Sequence, residues 1–186
     1  MSTLHIKNMV CDRCKKVIKD ELTALGVEVH SIDLGVLEID SKSIALEAIE
    51  KVIKDHGFEV IESKEEIMAE QIKVFLISII DNLPIQRKNK LSTMISEELG
   101  KDYSSLSKMF SQMEHITIEK YFLRLKLEKV KEMIQDGTHS FSQIASLLDY
   151  SSINHLSGQF KQETGLSMSE YKSMFNRDRK PLDKIV

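Results

Sequence analysis

No stretch of this sequence is apolar for long enough to span a bilayer. The longest run, Val74 to Ile80, is broken by Ser78 and bounded by Lys73 and Asp81, far short of the ~20 residues a membrane helix needs. The opening residues STLHIKNM lack a basic segment followed by an apolar one, so no secretory leader is read and the expected location is the cytoplasm. Cysteine occurs only twice, at Cys11 and Cys14. One pair cannot supply the disulfide framework of a small secreted domain, and in a reducing compartment a C-x-x-C binds metal or carries redox chemistry. No nucleophile–base pair, phosphate loop or paired carboxylate recurs at a useful spacing, so an enzyme is not expected.

What is there is an ordinary soluble mixture, 41% hydrophobic and 30% charged over 186 residues, enough for two domains with separate cores. The formal net charge of −3 is unevenly spread. Residues 1–63 carry 8 basic and 12 acidic side chains, net −4, whereas residues 84–180 carry 15 and 12, net +3. An acidic front joined to a mildly basic back suits a regulatory domain tied to a nucleic-acid reader.

In the front part the pattern predicts strand, helix, strand, strand, helix, strand. Residues 2–8 lean to strand. Cys11 to Leu25 reads as a helix with Val17, Ile18, Leu22 and Leu25 on one face and Gly26 as its stop. Residues 27–34 alternate with a slip before Ile32, and Gly35 turns the chain into a strand over 36–40. Ile44 to His56 is a second amphipathic helix with Leu46, Ile49, Val52 and Ile53 inward, and Phe58 to Ile61 ends on a strand. This is the split βαβ order of a ferredoxin-like sandwich, an antiparallel sheet with two helices on one face. Met9-Val10-Cys11-Asp12-Arg13-Cys14 falls between the first strand and the first helix. A helix N-terminus favours negative charge and so favours thiolates, the form that takes metal.

These residues resemble the heavy-metal-associated domain of copper chaperones and metal-transporting ATPases. That family's M-x-C-x-x-C loop is matched by residues 9–14 and its closing G-[FY] by Gly57-Phe58; Asn8 stands where Gly is usual. The resemblance covers about residues 1–63 and implies a metal held by Cys11 and Cys14. Two soft thiolates suit two-coordinate Cu(I). Zn(II) or another soft metal would borrow further ligands, for example His56 or a second molecule. A redox pair and an idle pair stay open. His5, His30, His115, His139 and His155 show no ligand-like spacing and are expected on surfaces.

Residues 63–70 (SKEEIMAE) are charged and open a helix to about Asp81, apolar at Ile67, Met68, Ile72, Phe75, Leu76, Ile79 and Ile80, with Gln71 on the same face. It reads as the first helix of a second domain over 64–180, followed by a tail at 181–186; a dimerising coiled coil is the competing reading. Asn82-Leu83-Pro84 ends it and residues 85–90 form a basic loop. Further on, Thr117 to Asp136 places Ile118, Tyr121, Phe122, Leu125, Val130, Met133 and Ile134 on one helical face. The segments on either side of it are alike. Leu106 to Tyr121 aligns with Leu156 to Tyr171 at a constant offset of 50, pairing Phe110 with Phe160, Thr117 with Ser167, and Tyr121 with Tyr171.

Each copy begins as a helix-turn-helix. Ile95-Ser96 and Ile144-Ala145 allow close helix approach, Gly100 and Asp149 take the turn, and Asp102 and Ser152 can cap the second helix. The central helix, about 28 Å long, would hold the two reading helices near one DNA turn apart, about 34 Å. The architecture expected is therefore α+β with two domains, the second all-α with two helix-turn-helix units joined by a long helix. The run IASLLDYSSINHLSGQFKQETGLSMSEYK resembles the AraC/XylS pattern I-A-x-x-x-G-[FY] through G-x-[ST]-P-x-x-[FY]-[KR], and the resemblance covers about residues 65–180. Asp149 replaces the usual turn Gly, Met168 the usual Pro, and His115 the turn Gly of the first unit. Gly158 stands where a basic or amide side chain is frequent.

The resemblance implies a sequence-specific DNA-binding transcription regulator. By position, Tyr103, Ser104, Ser107 and Lys108 are the candidate readers of the first unit, and Ile153, Asn154, His155 and Ser157 those of the second. Arg124, Lys161 and Arg177 are candidates for phosphate contacts. The whole reads as a cytoplasmic regulator responsive to Cu(I) or a similar ion, with double-stranded DNA as partner. RNA polymerase and a second copy in a homodimer are left open as further partners, and no membrane is involved. Two alternatives stand beside it: a metal-trafficking protein tethered by its rear domain, and a regulator whose thiols sense oxidant.

Overall fold

The computed structural model describes residues 2–40, 44–86, 89–174, 180, 182 and 185. Its front part runs β1 (Ser2–Lys7), α1 (Asp12–Ala24), β2 (Glu28–Asp33), β3 (Val36–Asp40), α2 (Leu46–Asp55) and β4 (Glu59–Ile61). The four strands form one antiparallel sheet in the order β2-β3-β1-β4. Leu4 of β1 faces Leu37 of β3, and Ile6 faces Val60 of β4. The slip in the β2 alternation is real: the β2–β3 register shifts between Val29 and Ser31, a bulge that turns one residue aside.

Alternate side chains of the sheet, Leu4, Ile6, Leu37 and Ile39, meet Ile18 and Leu22 of α1 and Ile49 and Ile53 of α2 in one buried cluster. Leu25 and Leu46 were expected in that layer, but they are 39% and 40% exposed. Leu25 caps the end of α1 and Leu46 is the first residue of α2. Terminal positions lack the further turn that would hold them over the core.

The rear part is helical: α3 (Lys64–Asp81), α4 (Leu91–Leu99), α5 (Tyr103–Glu114), α6 (Ile118–Asp136), α7 (Phe141–Leu147), α8 (Ile153–Thr164) and α9 (Met168–Ser173). Helix α6 spans 19 residues from its Thr117 cap, and all seven side chains assigned to its inner face are buried. Helix α3 starts at Ser63, whose hydroxyl accepts from the Glu66 N–H.

The buried stripe of α3 is turned from the one expected. Gln71 is exposed, while Ala69, Glu70, Lys73 and Ile77 join Ile72, Leu76 and Ile80 inside. The reason is that α3 has two sets of neighbours. It packs on α4, α5 and α6 and also touches β1, so its face is taken up within the chain rather than by a coiled-coil partner. Ile85 crosses to the far unit, where its N–H donates to the Leu147 carbonyl at 2.8 Å. Among the described residues no helix is long and apolar enough to cross a membrane.

Candidate nucleic-acid interface and thiol loop

The thiol loop is fixed at both ends. Asn8 leaves β1 with φ 72°, the left-handed region that Asn tolerates better than most side chains when Gly is absent. Met9 is fully buried in the front cluster. Cys11 caps α1 and is exposed, and Cys14 in the first turn is half-buried, with their Sγ atoms 3.0 Å apart. That gap exceeds the ~2.05 Å of a disulfide, so both are free thiols. It is shorter than the ~3.8 Å between two sulfurs on a tetrahedral ion with bonds of about 2.3 Å. Seating an ion therefore requires one sulfur to swing outward, and the exposed Cys11 has the room. The donor set, two soft sulfurs, fits a soft ion.

Burial pushes the Cys14 thiol up, and the hydrogen bond shared with Cys11 pushes it the same way. The helix-start field expected to favour thiolates is outweighed at this position. His56 is not turned to the pair: its Nδ1 lies 2.9 Å from the Val52 carbonyl and its Nε2 3.6 Å from Glu21. Among the described residues the one cluster of three ligand-type side chains is Glu28, His30 and Asp40, on β2 and β3. The five histidines expected on surfaces are exposed or half-buried.

The loop also faces the helical part. The Asn8 N–H donates to Glu70 Oε1 at 3.0 Å, and Val10 packs against the rear cluster. Burial is the chief reason the Glu70 carboxyl lies above its ordinary range, with Lys73 and the Asn8 N–H opposing it.

In the first reading unit, Gly100 takes the left-handed turn at φ 61° and the Asp102 carboxylate accepts from the Ser105 N–H at the start of α5. Leu106 and Phe110 point inward, and Ser104 and Lys108 are exposed. Tyr103 and Ser107 are half-buried. The Tyr103 hydroxyl donates to Glu119 of α6. Burial and this bond raise its pKa, while the same bond holds Glu119 below the usual carboxylate range against the pull of its burial. Tyr103 thus braces α5 on α6 with the group that would otherwise face a base. Ser104 gives its hydroxyl to Asp102.

In the second unit, Asp149 takes the turn at φ 56° and Ser152 caps α8 by accepting from the His155 N–H at 3.1 Å. Ile153, Asn154 and His155 are exposed, Ser157 is half-buried, and Leu156 and Phe160 are buried. The His155 ring lies edge-on to Tyr150 at 5.5 Å and its Nδ1 is 3.1 Å from the Ser151 hydroxyl. Gly158 is exposed, and a Cβ built there meets nothing.

The offset of 50 residues returns as geometry. Phe110 and Tyr121 hold their rings 5.7 Å apart at 60°, and Phe160 and Tyr171 hold theirs 5.6 Å apart at 72°. His115 and Gly165 both end their helices left-handed, and Thr117 and Ser167 cap the helices that follow.

The phosphate candidates fare differently. Lys161 is exposed. Arg124 gives an Nη1 hydrogen bond to the Ile185 carbonyl at 3.1 Å, so part of its fork is spent inside the chain. Arg177 lies outside the described residues. Three polar contacts escaped the sequence reading. Lys120 pairs with Glu163, tying α6 to α8; Lys126 sits 3.7 Å over the Tyr150 ring; Lys73 bridges Glu70 and Glu114. Apart from the Glu70–Lys73 pair, which is local to α3, each joins residues distant in sequence that nothing local connects.

Residues 95–174 match the family of helix-turn-helix domains. The matched segment runs from within α4 to the end of α9 and so takes in both helix-turn-helix units. Among solved structures the chain is similar to the C-terminal domain of AraT, a response regulator from Geobacillus stearothermophilus. The identity is 17% over 63% of this chain and 93% of that one, with a TM-score of 0.52, a likeness of fold. An AraC-type DNA-binding transcriptional regulator from Chromobacterium violaceum aligns at 21% identity over 57% of this chain and 96% of its own, with a TM-score of 0.47. No curated protein matches the chain. The helix-turn-helix domain contains α5 and α8, the helices that would enter the major groove.

Proposed function

We propose that the chain is an AraC-type transcription regulator whose DNA binding is set by a soft metal ion, Cu(I) foremost, held by Cys11 and Cys14. The reading divides the chain into a metal-binding ferredoxin-like domain over 1–63 and a DNA-binding domain over 64–180. The βαββαβ order and the sheet order β2-β3-β1-β4 support the first, and the paired helix-turn-helix units support the second. One observation carries the link between them. Two free thiols 3.0 Å apart open a helix in a loop whose Asn8 and Val10 touch the DNA-binding part. When bound, a soft ion would join the two sulfurs into one rigid bridge. Asn8 and Met9 hold the loop around it, and α5 and α8 supply the readers. RNA polymerase and a second copy of the chain are further partners compatible with this role.

The test is affinity for the DNA upstream of the protein's own coding sequence, with and without Cu(I), for wild type and Cys11→Ser/Cys14→Ser. A change of about 5- to 150-fold on metal addition, absent in the double variant, is the expected result. Equal affinity in every state would remove metal control. A second reading, thiol-redox sensing, is favoured by the short sulfur–sulfur gap and is scored in the same assay by an oxidant arm. Absence of any specific DNA binding would favour a metal-trafficking role.

A further inference from the structure

The thiol loop and the first reading helix are joined by a continuous run of buried polar contacts. Asn8, three residues before Cys11, gives its N–H to Glu70 Oε1 at 3.0 Å. Glu70 Oε2 lies 3.9 Å from Lys73 Nζ, and that ammonium is 2.7 Å from Glu114 Oε1. Glu114 is the last residue of α5, immediately before the left-handed His115 that ends it. The side chains of Glu70, Lys73 and Glu114 are 5%, 7% and 10% exposed, so little water can replace a lost partner. Around this path the two parts of the chain are closely fitted. A Cβ placed on Gly35 would lie 3.6 Å from Val74 and 3.7 Å from Glu70.

We propose that the Asn8–Glu70–Lys73–Glu114 path is the relay by which the state of the C-x-x-C loop sets the position of α5. Two carboxylates share one ammonium, so Glu70 depends on the Asn8 N–H for part of its solvation. An interior charge that loses one donor must lean on those that remain. If an ion on Cys11 and Cys14 draws the loop backbone away from α3, Glu70 takes more of Lys73, and Glu114 at the end of α5 is released. If the ion tightens the loop, Glu114 is held more firmly. Either way the thiol loop and the end of α5 are linked across α3 by charge redistribution rather than by a hinge. This rests on the metal-responsive reading above, and Glu70 and Lys73 are positioning residues that touch neither metal nor DNA.

The test uses the full chain and two readouts, with and without Cu(I): the DNA affinity ratio, and amide hydrogen exchange over residues 110–115. It compares wild type with Lys73→Met and with Glu70→Gln/Lys73→Met/Glu114→Gln. The triple variant removes all three charges together and so avoids the unpaired carboxylates that could unfold the single variant. The expected result is that Cu(I) changes exchange at the end of α5 in wild type, and that this change and the DNA ratio both fall to about one in the variants, while one Cu(I) per chain still binds. A DNA ratio kept in the folded variants overturns the relay and leaves metal control standing. A metal-dependent exchange change that needs Lys73, with no change in DNA affinity, keeps the relay and removes metal control. No exchange change in wild type overturns the relay outright.

Discussion

Gly158 occupies the exposed side of α8 with open space where a side chain would stand. Glycine in a helix interior costs up to about 1 kcal/mol relative to alanine, so Gly158→Ala should raise the unfolding free energy from urea melts by up to about that amount, seen as a higher midpoint at unchanged slope. Gly158→Lys goes further: if this face meets DNA, the slope of log affinity against log salt should steepen by about 0.9, one phosphate's worth. An unchanged slope would place the face away from the duplex. Single residues of this kind were readable in advance where the backbone demanded them. Asn8, His115 and Asp149 stand where the patterns this sequence resembles would put Gly, and all three have positive φ. Tyr103 and Arg124 could not be read so, because Glu119 and the Ile185 carbonyl, which engage them, arrive from 16 and 61 residues away.

At the scale of the element, helix caps set where the readers begin. Asp102 lies below its ordinary value of 3.8 because it accepts first from the Ser104 hydroxyl and then from the Ser105 N–H. A carboxylate depressed by folding adds stability that is fully present above the unfolded value and is lost as pH falls through the folded one. The stability difference between wild type and Asp102→Asn should therefore shrink in acid below about pH 4, since Asn caps comparably without titrating. A parallel pH course for both would show that the cap is not charge-dependent. In the cores of the two units, Phe110→Ala and Phe160→Ala should each cost about 3–5 kcal/mol, comparable losses because the two rings meet equivalent tyrosines. The inner face of helix α6 was legible because its apolar period is unbroken, whereas the burial of Lys126, Leu127 and Glu128 was not, because α6 has neighbours on more than one side. Helix α3 was misjudged by one stripe. Glu70 and Lys73 lie on the row that also holds Ala69 and Ile77, and charge in a sequence reads as surface until a partner from elsewhere, here Glu114, is known.

For the whole molecule, the two buried clusters meet through α3 and the thiol loop, so a ligand on the loop should be felt throughout. Metal that binds only the folded chain at 100 times its dissociation constant adds about 2.7 kcal/mol. Calorimetry with Cu(I) should show that gain in wild type, its loss on adding a chelator, and no gain in Cys11→Ser/Cys14→Ser. The paired arrangement of the sequence, acidic in front and basic behind, made two parts visible; the contacts between them rest on Asn8, Val10 and Gly35, which carry no charge pattern and no periodic signal.

The two reading helices belong to one chain and are not copies of each other: α5 offers Ser104 and Lys108 where α8 offers Asn154 and Gly158. A symmetric dimer of single readers would see the same palindrome from either side. This chain has no such equivalence. Its binding site on DNA should have a left and a right, and inverting that site in front of a promoter should turn the protein around, and with it the thiol loop, relative to the direction of transcription.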